Sequence, residues 1–141
     1  AWHQKREKSW APDTEGQFAE MLVGDNPAPI DTLGGHLYAE DGNRFGRPFT
    51  CDDLLRAAAA AARAARKPLF VGEFGVPGAG GDDAFAAMVA ALERAGVPLA
   101  ALWVYDFSPQ DGAWNVTFDN PRASQLAVLA AANARLAKGT R

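Results

Sequence analysis

Three short apolar runs, each followed by a segment of helical character, constrain this chain more than any other feature. The runs are 30–38, Leu69 to Phe74 and Leu99 to Tyr105. Strands that alternate with helices argue for a parallel sheet with helical crossovers. A leading helix is expected over 14–23, where Phe18, Met21 and Leu22 recur at helical spacing behind Asp13/Thr14. Pro27 and Pro29 stop it. Thr50-Cys51-Asp52-Asp53 has capping-box spacing, with Asp in place of Glu or Gln. The helix it opens, 51–65, is almost all Ala, Leu and Arg, and its alanines allow close packing on a sheet. A third helix runs from Asp82-Asp83 to Arg94, with Phe85, Met88, Val89 and Leu92 on one face. A fourth begins at Asn120-Pro121, read as an N-cap and first-turn pair, and continues to Lys138. The expected order is α-β-α-β-α-β-α.

The links are unequal. Arg66-Lys67-Pro68 and Gly96-Val97-Pro98 join helix to strand tightly, whereas the strand-to-helix links are long. Long loops therefore gather at the carboxyl ends of the strands, where α/β barrels keep their chemistry. Open doubly wound sheets bind ligands there as well, so link length alone does not choose between them. Residues 1–13, with Trp2, Trp10 and Lys5-Arg6-Glu7-Lys8, read as a solvated terminal segment of one domain spanning 1–141.

Composition removes several classes of function. Fourteen Lys+Arg stand against 17 Asp+Glu, net −3, so no basic excess exists to neutralise a phosphate backbone, and no nucleic-acid partner is expected. One cysteine, Cys51, excludes an intrachain disulfide and a cysteine zinc site. Two histidines, His3 and His36, leave little for a histidine metal site. No apolar run approaches a membrane span. No cofactor is expected. The run Gly75 to Gly81 follows a strand and precedes a helix, but it does not fit G-x-G-x-x-G, and Asp82-Asp83 would repel phosphate. Cys51 reads as a packing residue despite its place at a helix start. Asn115-Val116-Thr117 matches a glycosylation sequon, a pattern too short to carry weight.

Glu73 is the sharpest chemical feature. It ends an otherwise apolar strand, whose pattern suggests cover on both faces. A carboxylate there is costly to bury unless it is paired or functional. A structural ion pair and a nucleophile or general base are both open. His36 and Tyr38 alternate on the first strand and so share a face. His36 alone would read as a hydrogen-bonded core histidine; beside Glu73, the two can orient a carboxylate. Trp103 and Tyr105 stand at the end of the third strand, where a Trp face can stack on a sugar ring or simply pack. Trp114, Phe118, Asp106 and Asp111 follow in an aromatic and acidic loop, which suits carbohydrate better than an anion.

On these residues the sequence resembles the carboxyl-terminal part of cellulase- and mannanase-like glycoside hydrolases of family 5, which are (β/α)8 barrels. The carrying segments are Asp31 to Tyr38, Lys67 to Gly75 and Leu102 to Phe107. They match the sixth, seventh and eighth barrel strands in order. The resemblance implies that Glu73 is the catalytic nucleophile, that His36 and Tyr38 bind and orient it, and that Trp103 is a sugar-stacking platform. It implies a partial barrel of about three βα units plus a leading helix, since a full barrel takes about 250 residues.

The sequence departs from the family in one decisive respect. The acid/base Glu of such enzymes follows an Asn at the fourth strand, and no Asn-Glu dipeptide occurs here. The expected function is a retaining glycoside hydrolase fragment acting on β-linked glycans. A second carboxylate would come from Asp106, Asp111, Glu40 or a neighbouring subunit. The alternative is a non-catalytic carbohydrate-binding or self-assembling half-barrel using Trp103, Trp114 and Tyr105 as a platform. A short parallel sheet with two open edges is expected to self-associate or to pair with a complementing chain. Localisation stays open; the family is commonly exported.

Overall fold

The computed structural model describes residues 2–38, 43–78 and 80–139. In chain order the elements are α1 (Trp2–Glu7), α2 (Glu15–Gly24), β1 (Leu33–Tyr38), β2 (Asn43–Arg44), β3 (Arg47–Pro48), α3 (Cys51–Ala65), β4 (Leu69–Gly75), α4 (Asp82–Ala95), β5 (Leu99–Leu102) and α5 (Ser124–Gly139). The chain is α/β. Its main sheet is parallel, in the order β1-β4-β5. Each strand lies beside the next in sequence, and α3 and α4 make the two crossovers. Right-handed crossovers advancing in one direction put their helices on one face of the sheet. Accordingly α2, α3, α4 and α5 pack on one another in chain order as a single layer. A reversed strand order and helices on both faces, the marks of a doubly wound sheet, are not present among the described residues; the arrangement is that of consecutive βα units in a barrel wall.

Local sequence explains the helix ends. Thr14 caps α2 through the amide of Gln17, whose side chain returns the bond. Thr50 and Asp53 do the same for α3, so an aspartate does serve the capping box. The N-cap of α4 is Gly81 and makes no side-chain bond; Asp82 and Asp83 lie inside the first turn, where they complement the helix dipole. Gly96 closes α4 at φ +67°, a conformation that favours glycine.

The core lies between the sheet and the helix layer. Leu37, Val71 and Phe74 from the strands meet Leu54, Leu55, Phe85, Met88, Val89 and Leu92 from α3 and α4. Phe74 and Phe85 stack at 5.8 Å and 18°. Such a pair adds about 0.5–1.5 kcal/mol to what area burial gives. A second cluster joins Leu22, Leu33 and Leu69 to the alanines of α3. Five alanines of α3 are buried, which lets the helix lie close to its neighbours.

Five expectations need correction. The first 13 residues are not wholly irregular: α1 docks on α2 through Arg6–Glu20 and Lys5–Asp25, although none of its residues is buried. The long link between the first strand and the 51–65 helix is not wholly irregular: β2 and β3 pair there as a hairpin whose Phe45 packs edge-on against Phe18 at 5.6 Å. The third strand stops at Leu102: the Trp103 amide still bonds to Phe74 of β4, but Val104 and Tyr105 turn to Trp114 and Val116. The last helix starts at Ser124; Asn120 caps a preceding turn, its side chain accepting from the Arg122 amide. The apolar β4 is not covered on both faces to the same degree: Leu69, Val71 and Phe74 are buried against helices, while Phe70 and Glu73 are half-buried.

Candidate active site

A β-bulge brings the sharpest residues together. Gly35 pairs with Val71, yet the next residue of β1, His36, pairs with Glu73, so Gly72 is the extra residue. A bulge puts two successive residues opposite one and breaks the alternation of faces. Glycine fits there because a Cβ at Gly72 would lie 3.4 Å from the Phe70 ring and 3.6 Å from the His36 ring. Phe70, Gly72 and His36 therefore share the face opposite the helices. Beyond the bulge Glu73 joins them, and Phe74 returns to the core.

The result is a convergent polar group at the carboxyl end of the sheet. The Tyr38 hydroxyl donates to Glu73 Oε2 at 2.5 Å. His36 Nδ1 lies 3.1 Å from the same oxygen. The Glu73 side chain is 25% exposed and that of His36 56%. His36 is therefore no core histidine. Burial, followed by the hydrogen bond to Glu73 and the charge of that carboxylate, pushes the ionisation of Tyr38 up. The hydroxyl stays protonated and donating throughout the ordinary pH range. Among the described residues, Glu73 Oε1 accepts no hydrogen bond.

Two tryptophans frame this group differently. The Trp114 ring meets the Tyr38 ring edge-on, with centroids 5.2 Å apart. It also lies over Gly75, where a Cβ would come within 3.5 Å of its six-membered ring. Trp103 adjoins the same glycine through its backbone: its amide donates to the Phe74 carbonyl at 2.8 Å, and its carbonyl oxygen would stand 2.6 Å from a Cβ at Gly75. The Trp103–Val104 peptide is cis. Its half-buried indole donates to Gln110 Oε1 at 3.0 Å.

Other expected residues stay apart. Tyr105 packs edge-on against Phe118 and is half exposed. Asp106 is exposed, its backbone in the left-handed region at φ +52°. Asp111 accepts from Asn115 Nδ2 at 2.5 Å. Among the described residues no hydrogen bond links Asp106 or Asp111 to Glu73, and Glu40 lies outside the described residues. Asn115 is 2% exposed and its amide is committed to Phe107 and Asp111, so the sequon is inaccessible. Burial pushes the Cys51 thiol up, against any role as a nucleophile. Among the described residues no cluster of three or more His, Cys, Asp or Glu could hold a metal, and no helix is long and apolar enough to cross a membrane.

One organising residue escaped the sequence. Arg122 is 4% exposed, and its guanidinium donates to the carbonyls of Gly78, Ala113 and Val76 at 2.7, 2.6 and 2.5 Å. Read as part of a helical first turn, it opposed the helix dipole, and that mismatch was its signal.

No protein-family model matches the chain. No curated protein matches it either. Among solved structures it is similar to the endo-beta-1,4-mannanase from Thermotoga petrophila, at 15% identity and a TM-score of 0.46. That likeness covers 86% of this chain and 28% of the mannanase chain.

Proposed function

We propose that this chain carries the nucleophile part of a retaining glycoside hydrolase site acting on β-linked glycans. The observation that carries the reading is the convergence of Tyr38 and His36 on one oxygen of Glu73, at the open end of a parallel sheet. The Tyr38 hydrogen bond and the His36 contact both fall on Oε2 and leave Oε1 as the oxygen that can reach an anomeric carbon. In that reaction Oε1 forms a bond to the anomeric carbon as the bond to the leaving oxygen breaks. The leaving oxygen takes a proton from a general acid, and water later hydrolyses the glycosyl ester. Trp114, held against Tyr38, offers an aromatic edge beside the reacting carbon, and Trp103 lies next to it through Gly75. The general acid, about 5–5.5 Å from the nucleophile in retaining chemistry, comes from Asp106, Asp111, Glu40 or a neighbouring subunit. We further propose that a second copy or a complementing chain pairs with the open sheet edges.

Aryl β-glycosides with a dinitrophenyl leaving group test the nucleophile separately, because they barely need a proton donor. Glucoside, mannoside and cellobioside are compared on the wild type and on Glu73→Gln. Turnover or a covalent glycosyl adduct, lost in the Gln variant, is the expected result. A folded wild type with neither turnover nor adduct would overturn the catalytic reading in favour of a non-catalytic carbohydrate-binding role.

A further inference from the structure

Arg122 joins the two loops at the carboxyl end of the sheet. Val76 and Gly78 belong to the loop after β4, and Ala113 to the loop after β5. Their carbonyls lie past the strand ends, where ladder partners stop. One guanidinium bonds to all three, and the Gly78 amide adds a bond of 2.8 Å to the Ala113 carbonyl. Among the described residues no carboxylate forms an ion pair with Arg122. An unpaired buried cation is an expensive way to close a loop. Its planar fork, however, reaches several fixed carbonyls at once, which an ammonium cannot do.

What the fork holds is the back of the site. Val76 follows Gly75 directly and is three residues from Glu73. Ala113 precedes Trp114, whose ring covers Gly75 and meets Tyr38. Tyr38 in turn donates to Glu73. We propose that Arg122 is a positioning residue: it sets the place of the Trp114 ring, and through it the bond from Tyr38 to Glu73. The proposal rests on the reading of Glu73 as nucleophile for its catalytic consequence, but its structural content can be tested without activity.

The chain has two tyrosines, so ring-labelled tyrosine gives two sets of NMR signals, and Tyr38→Phe assigns them. The Tyr38 signals carry the ring current of Trp114. Arg122→Met and Arg122→Lys are compared with Leu92→Ala, a core truncation between sheet and helices that serves as a stability control. Both Arg122 variants are expected to shift the Tyr38 signals, and Leu92→Ala is not. Trp114→Leu should reproduce the shift, and Arg122→Lys added to Trp114→Leu should add nothing. On a dinitrophenyl glycoside, Arg122→Lys is expected to lower kcat on the order of tenfold with KM unchanged. Tyr38 signals that stay put in a folded Arg122 variant would overturn the proposal; should the Met variant fail to fold, the Lys variant decides. Absent activity with shifted signals would instead condemn the nucleophile reading and leave the positioning role standing.

Discussion

Glu73 shows how one residue's environment is assembled from both neighbours and distant chain. Its place at the end of an apolar strand is local. Its partners Tyr38 and His36 come from another strand, 35 and 37 residues earlier, and only the Gly72 bulge turns all three to one face. The raised ionisation of Tyr38 has a consequence for stability. The native state holds this proton more tightly than the unfolded chain, in which tyrosine loses it near pH 10.0. The stabilisation is therefore complete below that pH and is lost as pH rises beyond it. The wild type should lose stability more steeply than Tyr38→Phe between pH 9.5 and 11.5, followed as the shift in urea midpoint; parallel losses would refute the linkage. Glu73 and His36 are the ionisable groups in contact with Tyr38.

Gly75 is constrained by space. A methyl there would stand 2.6 Å from a backbone oxygen that cannot rotate away, with Trp114 behind it. Gly75→Ala should cost about 1–3 kcal/mol, the usual range for overpacking. A denaturant midpoint equal to the wild type would show that the loop after β5 yields freely. The motif around Glu73 was legible in the sequence, and so was the alternation of His36 and Tyr38. The need for Gly75 was not, because the atom it avoids belongs to Trp103, on a different strand end.

Elements were legible where their signals are local. The bounds of α3 follow from Thr50, Asp53 and an alanine-rich interior, and the observed helix is Cys51–Ala65 as expected. Thr50 Oγ1 accepts from the Asp53 amide at 3.2 Å, and the Asp53 carboxylate accepts from the Thr50 amide at 3.0 Å. Those bonds, with Arg56 and Arg47 beside it, hold the Asp53 carboxyl well below the usual carboxylate range. Thr50→Ala should lower stability by about 1 kcal/mol, with Thr50→Ser restoring most of it. An Ala variant as stable as the wild type by thermal melting would show that tertiary packing alone sets this helix end. The errors fell at β5 and α5. Trp103 to Tyr105 are good strand formers, but after Trp103 the backbone leaves β4, with Tyr105 bridging to Val116. Asn120-Pro121 has the chemistry of a helix start, yet Arg122 is held by loop carbonyls and the helix begins after it.

At the scale of the whole molecule, the parallel sheet is unfinished. Among the described residues no strand covers the outer edge of β1 or β5, and Leu99 on β5 is 63% exposed. Unpaired edges of this kind template further pairing. Light scattering at tens of micromolar should therefore give a mass above the monomer, and Leu99→Lys should move it toward the monomer. A wild type that stays monomeric would sink this expectation.

The sequence by itself determined the α/β alternation, the caps of α2 and α3, the inward stripe of α4, and the positions of Glu73, His36 and Tyr38 at strand ends. Each depends on propensity, period or spacing within a few residues. Only the tertiary structure decided that Gly72 is a bulge, that Glu73 faces Tyr38 and His36, that Trp114 covers Gly75, and that Arg122 ties two loops behind them. These depend on register between strands and on carbonyls left over where ladders end, and both are settled by the packing of segments far apart in the chain.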